Sequence, residues 1–146
     1  MIAENPSKDP CFIDSNLWIY AATQSQDSPP DPRHDIARNL IQSVPPCLSV
    51  QVINEVSINL KRKHQFTESS LKTLIQSFFD RYSVFPLDKD TLLQGSLLRE
   101  SYPISFWDSL IIASAILHNC RTLYSEDMHH SLVINGQLTI INPFKA

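Results

Sequence analysis

The stretch Cys11-Phe12-Ile13-Asp14-Ser15-Asn16 decides the fold that we predict for this chain of 146 residues. Its first three residues form a short apolar run without polar alternation, which is typical of a strand buried on both faces of a sheet. Apolar residues then recur with helical spacing from Leu17 to Ala21. Parallel α/β sheets bind ligands where a buried strand ends and a helix begins. Asp14 is therefore a candidate functional residue, although Asp is also a favoured helix N-cap.

Composition restricts the classes of protein to which the chain can belong. Length and a hydrophobic content of 42% fit one globular domain over residues 1–146, with a polar lead-in at 1–10. The net charge of -3 provides no global basic field, so any contact with nucleic acid must use local patches. Two glycines are too few for a glycine-rich phosphate loop. We find no signal-peptide pattern and no apolar run that could span a membrane, and the three cysteines lack metal-like pairing, so we expect a cytoplasmic protein with reduced thiols.

Short apolar runs alternate with helical stripes along the rest of the chain, which predicts a mostly parallel sheet covered by helices on both faces. We predict strands at 11–13, 47–50, 83–85, 121–124 and 137–141. Helices are expected between them, one capped by Thr67, one capped by Asp88 or Asp90, and a very apolar one over 106–118. Inward-facing positions are assigned to Leu92, Leu93 and Leu97, and core positions to Trp18, Trp107, Phe78 and Phe79.

Four carboxylates lie near the junctions between the predicted strands and helices. Asp14 and Asp127 each follow a strand, whereas Glu55 and Asp108 lie near the starts of helices. Each has an ordinary structural explanation: Glu55 as a first-turn acid that complements the helix dipole, Asp108 in a capping box with Ser105, and Asp127 in a turn. Considered together they indicate a site, because the first and fourth strands are neighbours where the strand order reverses. Four such acids repel one another unless a cation lies between them, and Mg²⁺ or Mn²⁺ prefers oxygen ligands.

These residues resemble a known family. The pattern Asp14-Ser15-Asn16, Glu55, Trp107-Asp108 before an Ile-Ile-Ala-Ser-Ala helix, and Ser125-Glu126-Asp127 is similar to that of PIN-domain nucleases. The closing Asn142-Pro143-Phe144 is similar to the tail of the VapC-like toxin branch. Thr is commoner in the family where Ser15 stands, and Glu126 is given no metal role.

The resemblance implies a three-layer α/β/α sandwich with a five-stranded sheet of order 3-2-1-4-5 and a metal-dependent ribonuclease activity that hydrolyses RNA. By the same resemblance, Asp14, Glu55, Asp108 and Asp127 are the metal-binding acids, and Asn16 and Ser125 support the site. The expected partners are RNA, a small antitoxin of a type II toxin-antitoxin pair, and a second copy of the chain in a homodimer.

Weaker signals and alternatives remain. Arg62 and Lys63 lie in a basic helix end that could meet RNA phosphates, although we prefer the explanation of a solvated helix end that complements the helix dipole. A catalytically silent PIN-like module that binds RNA or protein is the alternative function. A phosphatase or receiver domain is disfavoured because Asn16 stands where a phosphatase would need Asp, and Phe85-Pro86-Leu87 separate the third strand from Asp88.

Overall fold

The computed structural model describes residues 9–24 and 28–145 of the chain. Most of the predicted polar lead-in (1–8), part of the predicted loop at 24–32 (25–27) and Ala146 lie outside the described residues. No helix within the described part is long and apolar enough to cross a membrane.

Six strands and six helices make up the described residues, and they alternate for most of the chain. The strands are β1 (Cys11–Ile13), β2 (Pro46–Ser49), β3 (Ser83–Phe85), β4 (Thr122–Tyr124), β5 (Val133–Ile134) and β6 (Leu138–Ile141). The helices are α1 (Ser15–Ala22), α2 (Arg33–Ser43), α3 (Val50–Lys63), α4 (Glu68–Arg81), α5 (Lys89–Ser101) and α6 (Phe106–Leu117).

The strands form one sheet in the order β3-β2-β1-β4-β6-β5. All neighbouring pairs are parallel except β5 and β6. The mostly parallel α/β fold that we predicted is confirmed, and so is the juxtaposition of the first and fourth strands, in which Ile13 pairs with Tyr124. The predicted count of five strands is wrong by one, because Val133–Ile134 adds a short antiparallel strand at the edge beside β6.

Burial follows from the apolar runs of the sequence. Phe12, Leu48 and Leu123 on the central strands are fully buried, and α6 is buried over most of its length because apolar or small residues occupy 109–116. A strand covered on both faces needs apolar side chains on both, as the run at β1 indicated. The core therefore lies in the middle of the sheet and beneath α6.

Hydrogen-bonding side chains begin the helices at several predicted positions. The Thr67 hydroxyl accepts a hydrogen bond from the Ser70 amide at 3.1 Å, which caps α4. Between the two acids considered for α5, Asp88 is the cap, and its carboxylate accepts from the Thr91 amide at 3.1 Å. These bonds satisfy amides that the first helical turn leaves unpaired.

The predicted inward face of α5 is wrong. Leu92, Leu93 and Leu97 are among the exposed large apolar side chains, whereas α5 packs through Thr91, Gly95 and Leu98. A Cβ added at Gly95 would lie 2.9 Å from Leu110 Cδ2 on α6. The helices approach through this small residue, so the side of α5 that carries Gly95 and Leu98 is buried and the other three leucines point outward.

Two aromatic residues that we assigned to the core are also exposed. Trp107 is 60% exposed at the start of α6, and Phe79 is 55% exposed on α4. Trp18 and Phe78 are buried as predicted, with ring centroids 5.1 Å apart in an edge-to-face contact. Phe79 follows Phe78 directly on its helix and so falls on another face, since neighbouring helical positions do not share one.

Candidate active site

The carboxyl ends of β1 and β4 bring the first predicted site residues together. The Asp14 amide donates to the Tyr124 carbonyl at 3.0 Å, and the Ser125 amide donates to the Ile141 carbonyl at 2.9 Å. These backbone bonds extend the sheet by one residue on each strand. They place the Ser125 hydroxyl where it donates to Asp14 Oδ2 at 2.8 Å. The predicted contact between the two strand ends is therefore present.

Asp14 is a buried acid as well as the N-cap of α1. It is only 6% exposed, and its Oδ1 accepts from the Ser15 amide at 2.8 Å. Burial raises the pKa of Asp14 to about 6, hydrogen bonds from Ser125 and Ser15 lower it, and the neighbouring Glu55 and Asp108 raise it further. An ordinary helix cap lies near solvent, so this burial distinguishes Asp14 from one.

Glu55 reaches the same region from α3. That helix begins at Val50, so Glu55 lies in its second turn and the alternative of a first-turn acid is wrong. The Ser15 hydroxyl makes a short hydrogen bond with Glu55 Oε2 and lies 3.2 Å from Asp14 Oδ1, so its single proton can serve only one of the two carboxylates. The side-chain nitrogen of Gln51, Nε2, donates to Glu55 Oε1 at 2.9 Å.

Asp108 stands in the first turn of α6. The Ser105 hydroxyl accepts a hydrogen bond from the Asp108 amide at 3.1 Å, so the predicted cap is present. Burial raises the pKa of the Asp108 carboxyl, the Ser105 hydroxyl lowers it, and the charges of Glu55 and Asp127 raise it. The cap accounts for Ser105, but it leaves the Asp108 carboxylate facing two other acids.

Asp127 completes the set from the turn after β4. It is exposed, and its Oδ2 accepts a hydrogen bond from Asn16 Nδ2 at 2.9 Å. Asn16 thus joins the start of α1 to the turn. Its Oδ1 is buried and has no hydrogen-bond donor among the described residues.

A second layer of contacts holds the turn that carries Asp127. Glu126 Oε1 accepts from the Tyr20 hydroxyl at 2.9 Å and pairs with Arg33 at 3.3 Å. Asn142 Nδ2 donates to the Glu126 carbonyl at 3.3 Å, and the Phe144 ring contacts Tyr20 edge to face. The tail residues therefore support the turn. Sequence reasoning missed Tyr20 and Arg33, which bear no signal that relates them to Glu126.

The donor set fits a hard divalent cation in its chemistry. Within the described residues none of the four carboxylates forms an ion pair, and the charges of neighbouring acids act on both Asp14 and Asp108. Unneutralised carboxylates and the free Asn16 Oδ1 are oxygen ligands of the kind that Mg²⁺ and Mn²⁺ prefer. In the arrangement described, Glu55 accepts a hydrogen bond from Ser15 and Asp127 accepts one from Asn16. No three acidic, histidine or cysteine side chains of the described residues are close enough to share one ion.

The predicted RNA-binding residues lie away from the acids. Arg62 and Lys63 are exposed in the last turn of α3. Arg62 is displaced from Glu55 by about 10 Å along the helix axis, at a rise of about 1.5 Å per residue. Their neighbour Lys61 forms an ion pair with Glu68 on α4. The structure therefore does not bring this cluster to the site.

The family model of the PIN domain matches residues 11–133, a segment that contains all four acids. The chain belongs to the PIN domain family. This confirms the predicted resemblance and supports a nuclease. Comparison with curated proteins finds no match.

Several solved structures share this PIN fold. A toxin-antitoxin complex from Klebsiella pneumoniae superposes with a TM-score of 0.70 at 17% identity, over 93% of this chain and 99% of that one. FitAcB from Neisseria gonorrhoeae superposes with a TM-score of 0.65 at 15% identity, over 93% of this chain and 99% of that one. The sarcin-ricin loop cleaving toxin VapC20 of Mycobacterium tuberculosis superposes with a TM-score of 0.61 at 18% identity, over 77% of this chain and 86% of that one. At these identities the comparison demonstrates a common fold.

Proposed function

We propose that this PIN-domain chain is a divalent-metal-dependent endoribonuclease and that residues 1–146 form a single domain. The observation that carries the proposal is the set of carboxylates at the carboxyl end of the sheet, around a buried Asp14 that no cation of the described residues neutralises. Retaining a buried negative charge without a counter-charge is costly even when it accepts hydrogen bonds, so its presence is best explained by a cationic ligand.

Each residue of the site has a role in this proposal. Asp14, Glu55, Asp108 and Asp127 would hold Mg²⁺ or Mn²⁺. Such an ion would supply activation of the attacking water and compensation of the charge that develops on the phosphate. Ser125 and Asn16 orient the carboxylates that they contact, at 2.8 Å and 2.9 Å respectively.

The alternative is a silent module that binds RNA or protein without cutting it. It gains no benefit from four unneutralised acids, which is our reason for preferring the enzyme. The purified chain should cut a 5′-labelled structured RNA in Mg²⁺ or Mn²⁺ and should lose this activity in excess EDTA. RNA that is bound but left intact under both conditions would support the silent module, and full activity in EDTA would refute the metal mechanism.

We further propose that the chain is a cytoplasmic toxin restrained by a small antitoxin. Two of the solved structures with the same fold are a toxin-antitoxin complex and a toxin, which supports this role. An Arg or Lys of the antitoxin entering the acid cleft would neutralise carboxylates that otherwise repel one another. Induced expression of the chain alone should arrest bacterial growth, and Asp108→Asn should relieve the arrest at unchanged protein level.

The control for that experiment is Asp35→Asn, which neutralises an exposed acid at the start of α2. It should remain as toxic as the wild type. Soluble, folded wild type that is harmless would refute the toxin role. Equal toxicity of wild type and Asp108→Asn would show that the Asp108 carboxylate has no part in cleavage.

The exposed leucines of α5 support the proposed homodimer. Leu93 and Leu97 lie four residues apart on one face of the helix and are 59% and 56% exposed. Burying such side chains against a second copy would remove apolar surface from water. Light scattering should give the mass of a dimer for the wild type and of a monomer for Leu97→Glu; a monomeric wild type would refute the dimer.

A further inference from the structure

A groove of about 600 Å³ lies beside the acids, and the site described above does not use it. It runs between α3, the segment before α5 and the start of α6. Its lining is mainly apolar and includes Val50, Ile58, Leu87, Trp107, Gln51 and Glu55. Since Glu55 belongs to both the groove and the acid cluster, a molecule bound at the acids extends directly into the groove.

Trp107 provides an exposed aromatic surface in the groove. Its indole is 60% exposed, and Ile58 and Leu87 beside it are also exposed. A planar aromatic side chain open to solvent next to apolar side chains offers a surface on which a nucleobase can stack, and such stacking tolerates any base. Carboxylates without a cation repel RNA phosphates, so a stacking contact of this kind supplies attraction that the acids themselves do not.

Gln51 provides a polar group at the same place. It is only 7% exposed, and its Nε2 donates to Glu55 Oε1 at 2.9 Å and to the Trp107 carbonyl at 3.2 Å. These two acceptors determine which end of the amide is the nitrogen. The remaining atom, Oε1, is buried and has no hydrogen-bond donor among the described residues. An acceptor left unpaired in this way costs stability unless a ligand supplies the donor.

We infer that this groove binds a nucleobase of the RNA substrate next to the phosphate that is cut, with the base stacked on Trp107 and an amino group of the base directed at Gln51 Oε1. The inference rests on the proposed ribonuclease function. An amino group suits the unpaired acceptor, so adenine, cytosine and guanine, which carry an exocyclic amino group, fit better than uracil, which has none.

Binding, measured without cleavage, tests the groove independently of activity. The full chain carrying Asp127→Asn is titrated with fluorescein-labelled hexamers of riboadenosine, and anisotropy is recorded. Trp107→Ala in this background should weaken binding about tenfold or more, the loss expected for one base-aromatic stack. Trp107→Phe keeps a stacking surface and should stay within about threefold. Phe79→Ala removes an equally exposed aromatic residue of α4 and should change nothing.

The hydrogen bond is tested by changing the RNA, which leaves the protein intact. Hexamers of purine riboside lack the 6-amino group of adenosine, and they should bind several-fold more weakly than riboadenosine hexamers. Equal affinity would refute the contact with Gln51. Equal affinity of the Trp107→Ala and Phe79→Ala chains would refute the groove as a base site.

Two further results distinguish this inference from the proposed dimer and from the proposed nuclease activity. If Trp107→Ala converts a dimer into a monomer without changing RNA affinity, Trp107 is a contact between copies and the inference is wrong. If the wild type does not cut RNA but Trp107→Ala still weakens binding, the nuclease proposal fails while the groove stands as an RNA-binding site.

Discussion

The replacement Asp14→Asn should make the metal-free protein more stable at neutral pH. The pKa of Asp14 is 3.8 in the unfolded chain and about 6 in the folded protein, where the residue is 6% exposed. Below pH 3.8 the carboxyl is protonated in both states and contributes nothing. As pH rises toward 6 the unfolded chain loses this proton while the folded chain keeps it, so stability falls. Above pH 6 the penalty levels at about 3 kcal/mol, at about 1.36 kcal/mol per pKa unit.

Asparagine removes this penalty but accepts fewer hydrogen bonds than the carboxylate does from Ser15 and Ser125. Losing about one bond costs about 1 kcal/mol, so we expect a net gain of about 1 to 2 kcal/mol at pH 8. The melting temperature should then rise by about 3 to 6 °C. A buried charge that lowers the stability of the fold is typical of a functional site, where activity is gained at the expense of stability.

Urea unfolding in EDTA at pH 5 and pH 8 measures the effect. Between these values the wild type should lose about 1 kcal/mol relative to Asp14→Asn, because the Asp14 carboxyl is the titrating group that the variant lacks. Asp35→Asn, which neutralises an exposed acid, should follow the wild type. If Asp14→Asn and the wild type changed equally between the two pH values, burial would not be raising the pKa of Asp14.

Three further predictions concern metal binding and local structure. Mn²⁺ at about a hundred times its dissociation constant should stabilise the wild type by about 2.7 kcal/mol and Asp14→Asn much less, as thermal melting would report; equal shifts would place the ion elsewhere. Thr67→Ala should cost about 1 kcal/mol in urea unfolding by removing the cap of α4, whereas Ser69→Ala in the same turn should cost little. Gly136→Ala should cost about 1 kcal/mol because φ is +64° there, and an unchanged melting temperature would contradict this explanation.

The parallel sheet and the order of its acids were predictable because each depends on local pattern. The strand at Cys11–Ile13 and the strand at Ser83–Phe85 agree with the predicted bounds. A buried strand needs an uninterrupted apolar run, and the residue after it must lie at the edge of the sheet. Asp14 was therefore placed correctly from its sequence position alone.

The edge strand β5 was missed although the sequence signals it. Asn135-Gly136 separates two apolar stretches, and both residues have positive φ values, 53° and 64°. Asn-Gly is the preferred pair for a tight hairpin turn of this kind. Here the Gln137 amide donates to the Ile134 carbonyl at 2.9 Å and closes the turn. This error was avoidable.

Other features depend on packing that no local pattern encodes. Counting leucines assigned the wrong face of α5 to the core, because the close approach at Gly95 outweighs hydrophobicity there. Tyr20 and Glu126 are 106 residues apart in sequence, so their hydrogen bond could not be foreseen. The contact between Gln51 and Glu55 was predictable, because residues four positions apart on a helix lie next to each other on one face.

The central claim is that the four carboxylates hold the divalent ion required for RNA cleavage. It is tested most directly by the cleavage rate of a labelled RNA as Mn²⁺ is titrated into the wild type and into Asp14→Asn, with the fold of both confirmed by urea unfolding. We predict that the cleavage rate of the wild type rises from zero to a plateau. The more stable Asp14→Asn variant should cut nothing at any concentration of Mn²⁺. A variant that cuts at the wild-type rate, with the same dependence on Mn²⁺, would contradict the claim.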